Sequence, residues 1–189
     1  SETWNESFSG TVSGSTGSAD LSGTLDGSYT ISYPDGGFGT DGDYLWDVQF
    51  NMDFGAALSN FGVSDSGTDY TLDGNLEIDS SADYNVDFTI SGGGSSASGT
   101  YSYNYGLSIA YGATIEDTTN GVGGKFILFV NESFADSGDI NSGADDATPT
   151  FTASLEVYDN SNNLVYSSNL TETQVSNILP FVGDVLLSS

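Results

Sequence analysis

Residues Tyr44 to Phe54 read YLWDVQFNMDF, and no other stretch narrows the choice of fold as much. Tyr44, Trp46, Val48, Phe50, Met52 and Phe54 occupy every even position, while Asp47, Gln49, Asn51 and Asp53 occupy the odd positions after Leu45. A period of two sustained over this length is a β-strand with one buried and one wet face, because no helix gathers all six apolar side chains on one side. At roughly 1.5–3 kcal/mol for each large side chain buried, this strand contributes on the order of 10 kcal/mol of gross burial.

The same period recurs along the chain. Leu21, Leu25, Tyr29, Ile31 and Tyr33 share one parity, as do Tyr70, Leu72, Leu76 and Ile78. Each set runs through an Asp-Gly pair, Asp26-Gly27 and Asp73-Gly74. A two-residue hairpin there would reverse the parity of the apolar set, so a bulged three-residue loop or one continuous strand fits better. Tyr84 to Ile90 alternates next. Tyr101, Tyr103, Tyr105, Leu107, Ile109, Tyr111, Ala113 and Ile115 then predict one very long strand, or two joined at Gly112. Lys125 to Val130 (KFILFV) is apolar at both parities, as in a central strand covered on two sides. Phe151 to Val157 and Leu164 to Ser167 read as a hairpin around Asp159–Asn163.

Between these runs, 34–42, 91–99 and 133–148 read as loops, and Ala57, Leu58 and Phe61 have the spacing of a helical turn. Near the C-terminus Thr171-x-x-Gln174 is a capping-box pattern, predicting a short helix to Leu179 followed by an apolar strand from Phe181 to Leu187. The expected fold is all-β with about ten strands: a β-sandwich, jelly-roll-like, or a barrel. Residues 1–13 form an N-terminal strand, and 14–189 a single domain.

Composition removes several classes of function. Cysteine and histidine are absent, which excludes disulfides, thiolate chemistry and the commonest general base and transition-metal ligand. Lys125 is the only basic side chain against 27 acids, and the formal charge of -26 repels nucleic acid and anionic lipid. No run of 18 apolar residues occurs, so no membrane-inserted helix is expected. The start at Ser1, the acidic balance and the wealth of Gly, Ser, Thr and Asn fit a processed protein that is secreted or held at the cell surface.

Three kinds of site are candidates. Gly36-Gly37-Phe38-Gly39-Thr40-Asp41 opens like a calcium-binding GGxGxD repeat, and Asp41, Asp43 and Asp47 offer hard oxygen ligands for Ca²⁺. A second acidic group is Asp136, Asp139, Asn141, Asp145 and Asp146. Paired carboxylates are numerous by chance alone, and only Asp184 has an apolar sequence setting, so no enzyme is expected. Asn5, Asn131 and Asn169 head glycosylation sequons. Trp4, Trp46 and Tyr101, Tyr103, Tyr105 and Tyr111 are aromatic candidates for a sugar platform, though most share parity with core positions.

The N-terminal segment carries the functional expectation. It alternates weakly, presents Trp4, Phe8 and Val12 at one parity, and is followed by the Gly/Ser/Thr run from Ser13 to Ala19. An isolated strand of this kind pairs within its own sheet or adds to a neighbour's. The all-β body, the terminal strand and the secreted composition together resemble secreted bacterial fibre and pilus subunits that assemble by donor-strand exchange, although the cysteine pair of many chaperone–usher subunits is missing. That resemblance implies a structural subunit of an extracellular filament or surface layer whose partners are other copies of itself, with Trp4, Phe8 and Val12 filling a neighbour's apolar groove. The alternatives are a carbohydrate-binding β-sandwich module and an outer-membrane β-barrel.

Overall fold

A computed structural model describes residues 1–13, 16–65, 67–118, 120, 122–142 and 147–178. It is all-β with one short helix: β1 (Glu2–Ser13), β2 (Ser18–Ser32), β3 (Gly42–Asp65), β4 (Thr68–Ser91), β5 (Ser96–Asp117), β6 (Val122–Asp139), β7 (Thr150–Asp159), β8 (Leu164–Asn169) and α1 (Glu172–Ile178). The strands form one antiparallel sheet in chain order, β1 to β8. The sheet is open: among the described residues β1 pairs with β2 alone and β8 with β7 alone.

Among the described residues, the expected sandwich, jelly roll or barrel of about ten strands is eight strands in one open sheet, because several anticipated breaks are continuous strand. β2 runs straight through Asp26 and Gly27, opposite Asn51 and Phe50, and β4 runs through Asp73 and Gly74, opposite Thr114 and Ala113. In both places the aspartate is held laterally. Asn51 Nδ2 donates to Asp26 Oδ2 at 3.2 Å, and the Asn60 amide donates to Asp73 Oδ1 at 2.8 Å. β5 passes through Gly112 opposite Ile127, and β6 continues over Ser133–Asp139, where the acidic composition predicts a loop.

The expected helical turn at Ala57–Phe61 is strand as well. One extra residue lies between Leu58↔Gly74 and Phe61↔Leu72, with Asn60 at φ 45°. That bulge shifts the parity of β3, so Phe61 stays on the same face as Leu58.

Register sorts the side chains into two faces. A row such as Leu25–Met52–Ser80–Leu107–Glu132–Phe151 crosses six strands on the apolar face. The neighbouring row Thr24–Asp53–Asp79–Ser108–Asn131–Thr152 lies on the polar face. The core forms where α1 and the segment before it cover the apolar face. Leu107, Ile109, Leu128, Val130 and Ala153 pack there against Leu170 and Val175.

The capping box forms as the sequence predicts. The Thr171 amide donates to Gln174 Oε1 at 2.9 Å, and the Gln174 amide approaches Thr171 Oγ1 at 3.4 Å. The strand expected over Phe181–Leu187, with Asp184, lies outside the described residues, as do Asp145 and Asp146 of the second acidic group.

KFILFV is covered on one face only. Leu128 and Val130 are fully buried, whereas Phe129, on the opposite face, is 47% exposed. A central position in the sheet does not require a second covering layer when the sheet stands alone.

Of the two pairings open to the N-terminal strand, within its own sheet or in a neighbour's, the chain has the first: it is paired with β2 from Glu2↔Tyr29 to Ser13↔Ser18. Glycines on β2 explain its seating. A Cβ on Gly27 would lie 2.3 Å from Trp4 Cζ2, and one on Gly23 would lie 2.5 Å from Phe8 Cζ, so both rings lie over bare backbone. Aromatic rings over edge glycines are a recognised means of fixing strand register. Gly27→Val is therefore expected to displace Trp4 and also to clash with the Gln49 carbonyl. At about 1–3 kcal/mol for overpacking, amide exchange across residues 2–13 should accelerate roughly ten- to hundred-fold while β4–β6 keep their protection. Unchanged exchange in β1 would show that the ring contact does not hold the strand.

Candidate functional site: open edges and two unlike faces

Both terminal edges lack lysine and proline, although β1 carries Glu2 and Glu6 and β8 is only six residues long. The only lysine is Lys125 and the prolines are Pro34, Pro149 and Pro180, none of them on β1 or β8. Trp4, Phe8 and Val12 share the apolar face of β1. Phe8 stacks on Phe54 at 6.1 Å between ring centroids, yet it and Val12 remain about half exposed. Glu2 and Glu6 are the charged groups of this strand. At the other edge Leu164, Val165 and Tyr166 are three consecutive exposed apolar residues, on both faces of β8. The turn before them is fixed by Asp159, whose carboxylate accepts from the amides of Ser161 (2.9 Å) and Asn163 (2.8 Å) and from Asn163 Nδ2. The hydrogen bonds from Asn163, its side chain first, hold the Asp159 carboxyl below the usual range.

The apolar face is unevenly covered. At the β3 end, the 34–41 loop folds over it. Phe38 stacks on Tyr33 (5.1 Å) and Tyr44 (5.9 Å) and meets Trp46 edge-on (6.3 Å). The Tyr44 hydroxyl, buried beneath, donates to the carbonyl of Thr40 (2.9 Å) or Gly37 (3.1 Å) and accepts from the Gly39 amide (3.0 Å). Farther along, Ile31, Val48 and Tyr84 are exposed.

Glu132 is the charged residue of the apolar core, 7% exposed, in the row between Leu107 and Phe151. Its Oε2 has no hydrogen-bond partner. Burial, and then the negative charge of Glu172 on α1, push its carboxyl above the ordinary range.

On the polar face Asp53 and Asp79 stand directly opposite each other. Burial, a hydrogen bond to Asp53 and the charges of Asp53 and Glu77 raise the Asp79 carboxyl. A trough of about 530 Å³ runs across this face past Asp26, Asn51, Asp53, Asp79, Ser108 and Asn131. A second, of about 410 Å³, lies between Asp73, Asn75 and Glu77 on one side and Lys125, Ile127 and Phe129 on the other.

The three proposed calcium ligands are engaged separately. Asp41 accepts from the amides of Gly93 (2.9 Å) and Gly94 (3.1 Å), which belong to a run of three left-handed glycines, Gly92 to Gly94. Successive amides in that conformation converge on an anion, and here the anion is the Asp41 carboxylate. Asp43 accepts from Thr89 Oγ1 at 2.7 Å, while Asp47 lies between Thr30 and Asn85 in the sheet. Among the described residues no three carboxylates are grouped as a metal site. Asp136 accepts from the Tyr101 hydroxyl and Asp139 from the Asn141 amide, so the described part of the second acidic group serves as local hydrogen-bond acceptors.

Asn5 and Asn131 are exposed on the polar face, and Asn169 is exposed at the end of β8. Trp4, Trp46 and the tyrosines at 101, 103, 105 and 111 all share the apolar face. The sequence reading missed Glu132 and the Asp53–Asp79 pair. An acid in register with core residues was the available signal for the first; the second required knowledge of which strands are neighbours.

In comparison with known proteins, no family model, curated protein or solved structure matches the chain.

Proposed function

We propose that the protein is a structural subunit of an extracellular filament or surface layer, with subunits joined by strand addition. The observation that carries this reading is an open sheet in which β1 and β8 each pair on one side only among the described residues. An edge presents unpaired backbone donors and acceptors, and a second edge of the same chain satisfies them. Joining β1 of one copy to β8 of the next is a heterologous contact that does not close on itself, so it propagates. Trp4, Phe8 and Val12 then continue the apolar face of the next subunit, rather than leaving their own sheet. The carboxylates repel between copies, and salt screens that repulsion, so assembly is favoured at high ionic strength. The protein acts as no enzyme in this reading, and its localisation is outside the cell.

Electron microscopy of the purified chain across a salt series tests the proposal. Filaments or sheets are expected, and replacing Val165 and Ser167 by proline should abolish them while the monomer stays folded. A chain that remains monomeric at every concentration and salt, or one that assembles equally well with both prolines, overturns it.

A second reading is favoured by one observation. Phe129 is exposed beside Asp73, Asn75 and Glu77 at the smaller trough. An aromatic face flanked by planar acceptors suits a polysaccharide chain. Glycan-array binding that is lost on Phe129→Ala would favour this module over the filament subunit.

A further inference from the structure

We infer that the uncovered part of the apolar face is an interface between two copies of this chain, separate from the strand edges and independent of whether those edges join. Exposed apolar side chains here are contiguous rather than scattered. Ile31 on β2, Val48 on β3 and Tyr84 on β4 are exposed. They lie in adjoining rows, with Tyr29↔Val48 and Val48↔Tyr84 directly paired and Ile31 facing Trp46 beside them. Phe8 and Val12 on β1 are exposed on the same face farther along, in the rows of Phe54 and Leu58, with the Glu6–Leu25–Met52 row between them and Val48. Among the described residues, helix α1 and Leu170 pack on the face at β5–β7, where Leu76 and Ile78 of β4 adjoin the cluster. A sheet with one apolar face is stable when a second layer packs on it, and over β1–β4 none of the described residues supplies one apart from the 34–41 loop at one end.

Charge selects a second copy as that layer. Within β2, β3 and β4, Asp20, Asp26, Asp43, Asp47, Asp53, Asp73, Glu77, Asp79, Asp83 and Asp87 all fall on the opposite face by register. On the apolar face of β1–β4 the carboxylates within the described side chains are Glu2 and Glu6, both on the rim strand. A basic partner would be drawn to the other face. A second copy brings a surface whose carboxylates among the described side chains are Glu2 and Glu6 on the rim strand, and leaves both sets of aspartates pointing outward, a sheet thickness away from the contact.

The size also suits a dimer. Four strands at about 4.8 Å spacing and about nine residues at 3.3 Å rise give roughly 600 Å² per copy. That is roughly 1,200 Å² in total, at the lower end of specific interfaces, and it implies a reversible pair. Packed face to face at about 10 Å, the two sheets make a β-sandwich whose layers come from different chains.

The absence of cysteine allows a direct test. The chain carrying Val48→Cys is studied by sedimentation equilibrium and by maleimide reactivity over a concentration series at low and high salt. Dimers are expected, tightening at least several-fold with added salt as outward repulsion is screened. The thiol should be reactive in dilute protein and protected in concentrated protein. Val48→Glu should weaken the pair at least ten-fold and keep the far-UV circular dichroism of the parent, while the Val165/Ser167 proline variant should pair as the parent does. Three results overturn the inference. One is a thiol reactive at every concentration. Another is a thiol protected at every dilution, which means the chain's own residues 179–189 cover the face. The third is an association indifferent to Val48→Glu.

Discussion

Leu128→Ala should lower stability by about 2–5 kcal/mol, the range for emptying a fully buried leucine site. Leu128 has no exposed surface, faces Tyr111 and Leu155 across the two neighbouring strands, and belongs to the cluster with Leu170 and Val175. A chain of this size loses roughly 2–4 °C of melting temperature per kcal/mol, so a fall of about 5–15 °C is expected. Phe129→Ala is the control. That side chain belongs to the adjacent residue but points to the polar face, and its loss should cost under about 1 kcal/mol. Equal losses at the two positions would mean that both faces of β6 are covered. Urea denaturation of the two variants decides between these outcomes.

Glu132→Gln is expected to stabilise the protein at neutral pH. The parent carries a carboxylate with an orphaned oxygen in an apolar row, facing the like charge of Glu172. An unsatisfied buried charged oxygen costs about 1–3 kcal/mol, and the glutamine removes its charge without changing its size. The pH dependence follows from the direction of the shift. Burial and Glu172 raise the folded-state pKa above the unfolded value, so the native state holds its proton more tightly. Glu132 therefore costs no stability below the ordinary glutamate range, about pH 4.3, and its destabilisation grows as pH rises through the raised folded value. Parent and variant should melt together in acid and separate by several degrees at pH 7.5, with the variant higher. Equal melting temperatures at pH 7.5 would show that water reaches Oε2. Asp79, also raised, adds to the parent's loss of stability with rising pH, whereas the lowered Asp159 contributes stability that is lost in acid.

The alternating runs fixed the strands and their faces. Tyr44–Phe54, Tyr84–Ile90, Tyr101–Ile115 and Phe151–Val157 are all strand, because a period of two has no other way to bury one face. Parity left a bulged loop or a continuous strand through Asp26-Gly27, and the structure took the second. The capping box was readable because both of its partners lie within one turn. Trp4 and Phe8 were marked as anchors, but that their seats are Gly27 and Gly23 depended on the β1–β2 register. Asp41 looked like a metal ligand by its loop, and only the approach of Gly93 and Gly94, some fifty residues away, gave its carboxylate other partners.

Local sequence thus determined that this chain is all-β, where the alternating segments of its strands lie and which side chains share a face within each of them, since alternation and capping are set by residues a few positions apart. Tertiary structure decided that the described strands form a single open sheet, that β1 lies within it, and that Glu132 and the Asp53–Asp79 pair are confined. Those outcomes depend on which strands become neighbours and on what covers each face. Side-chain parity carries no information about either.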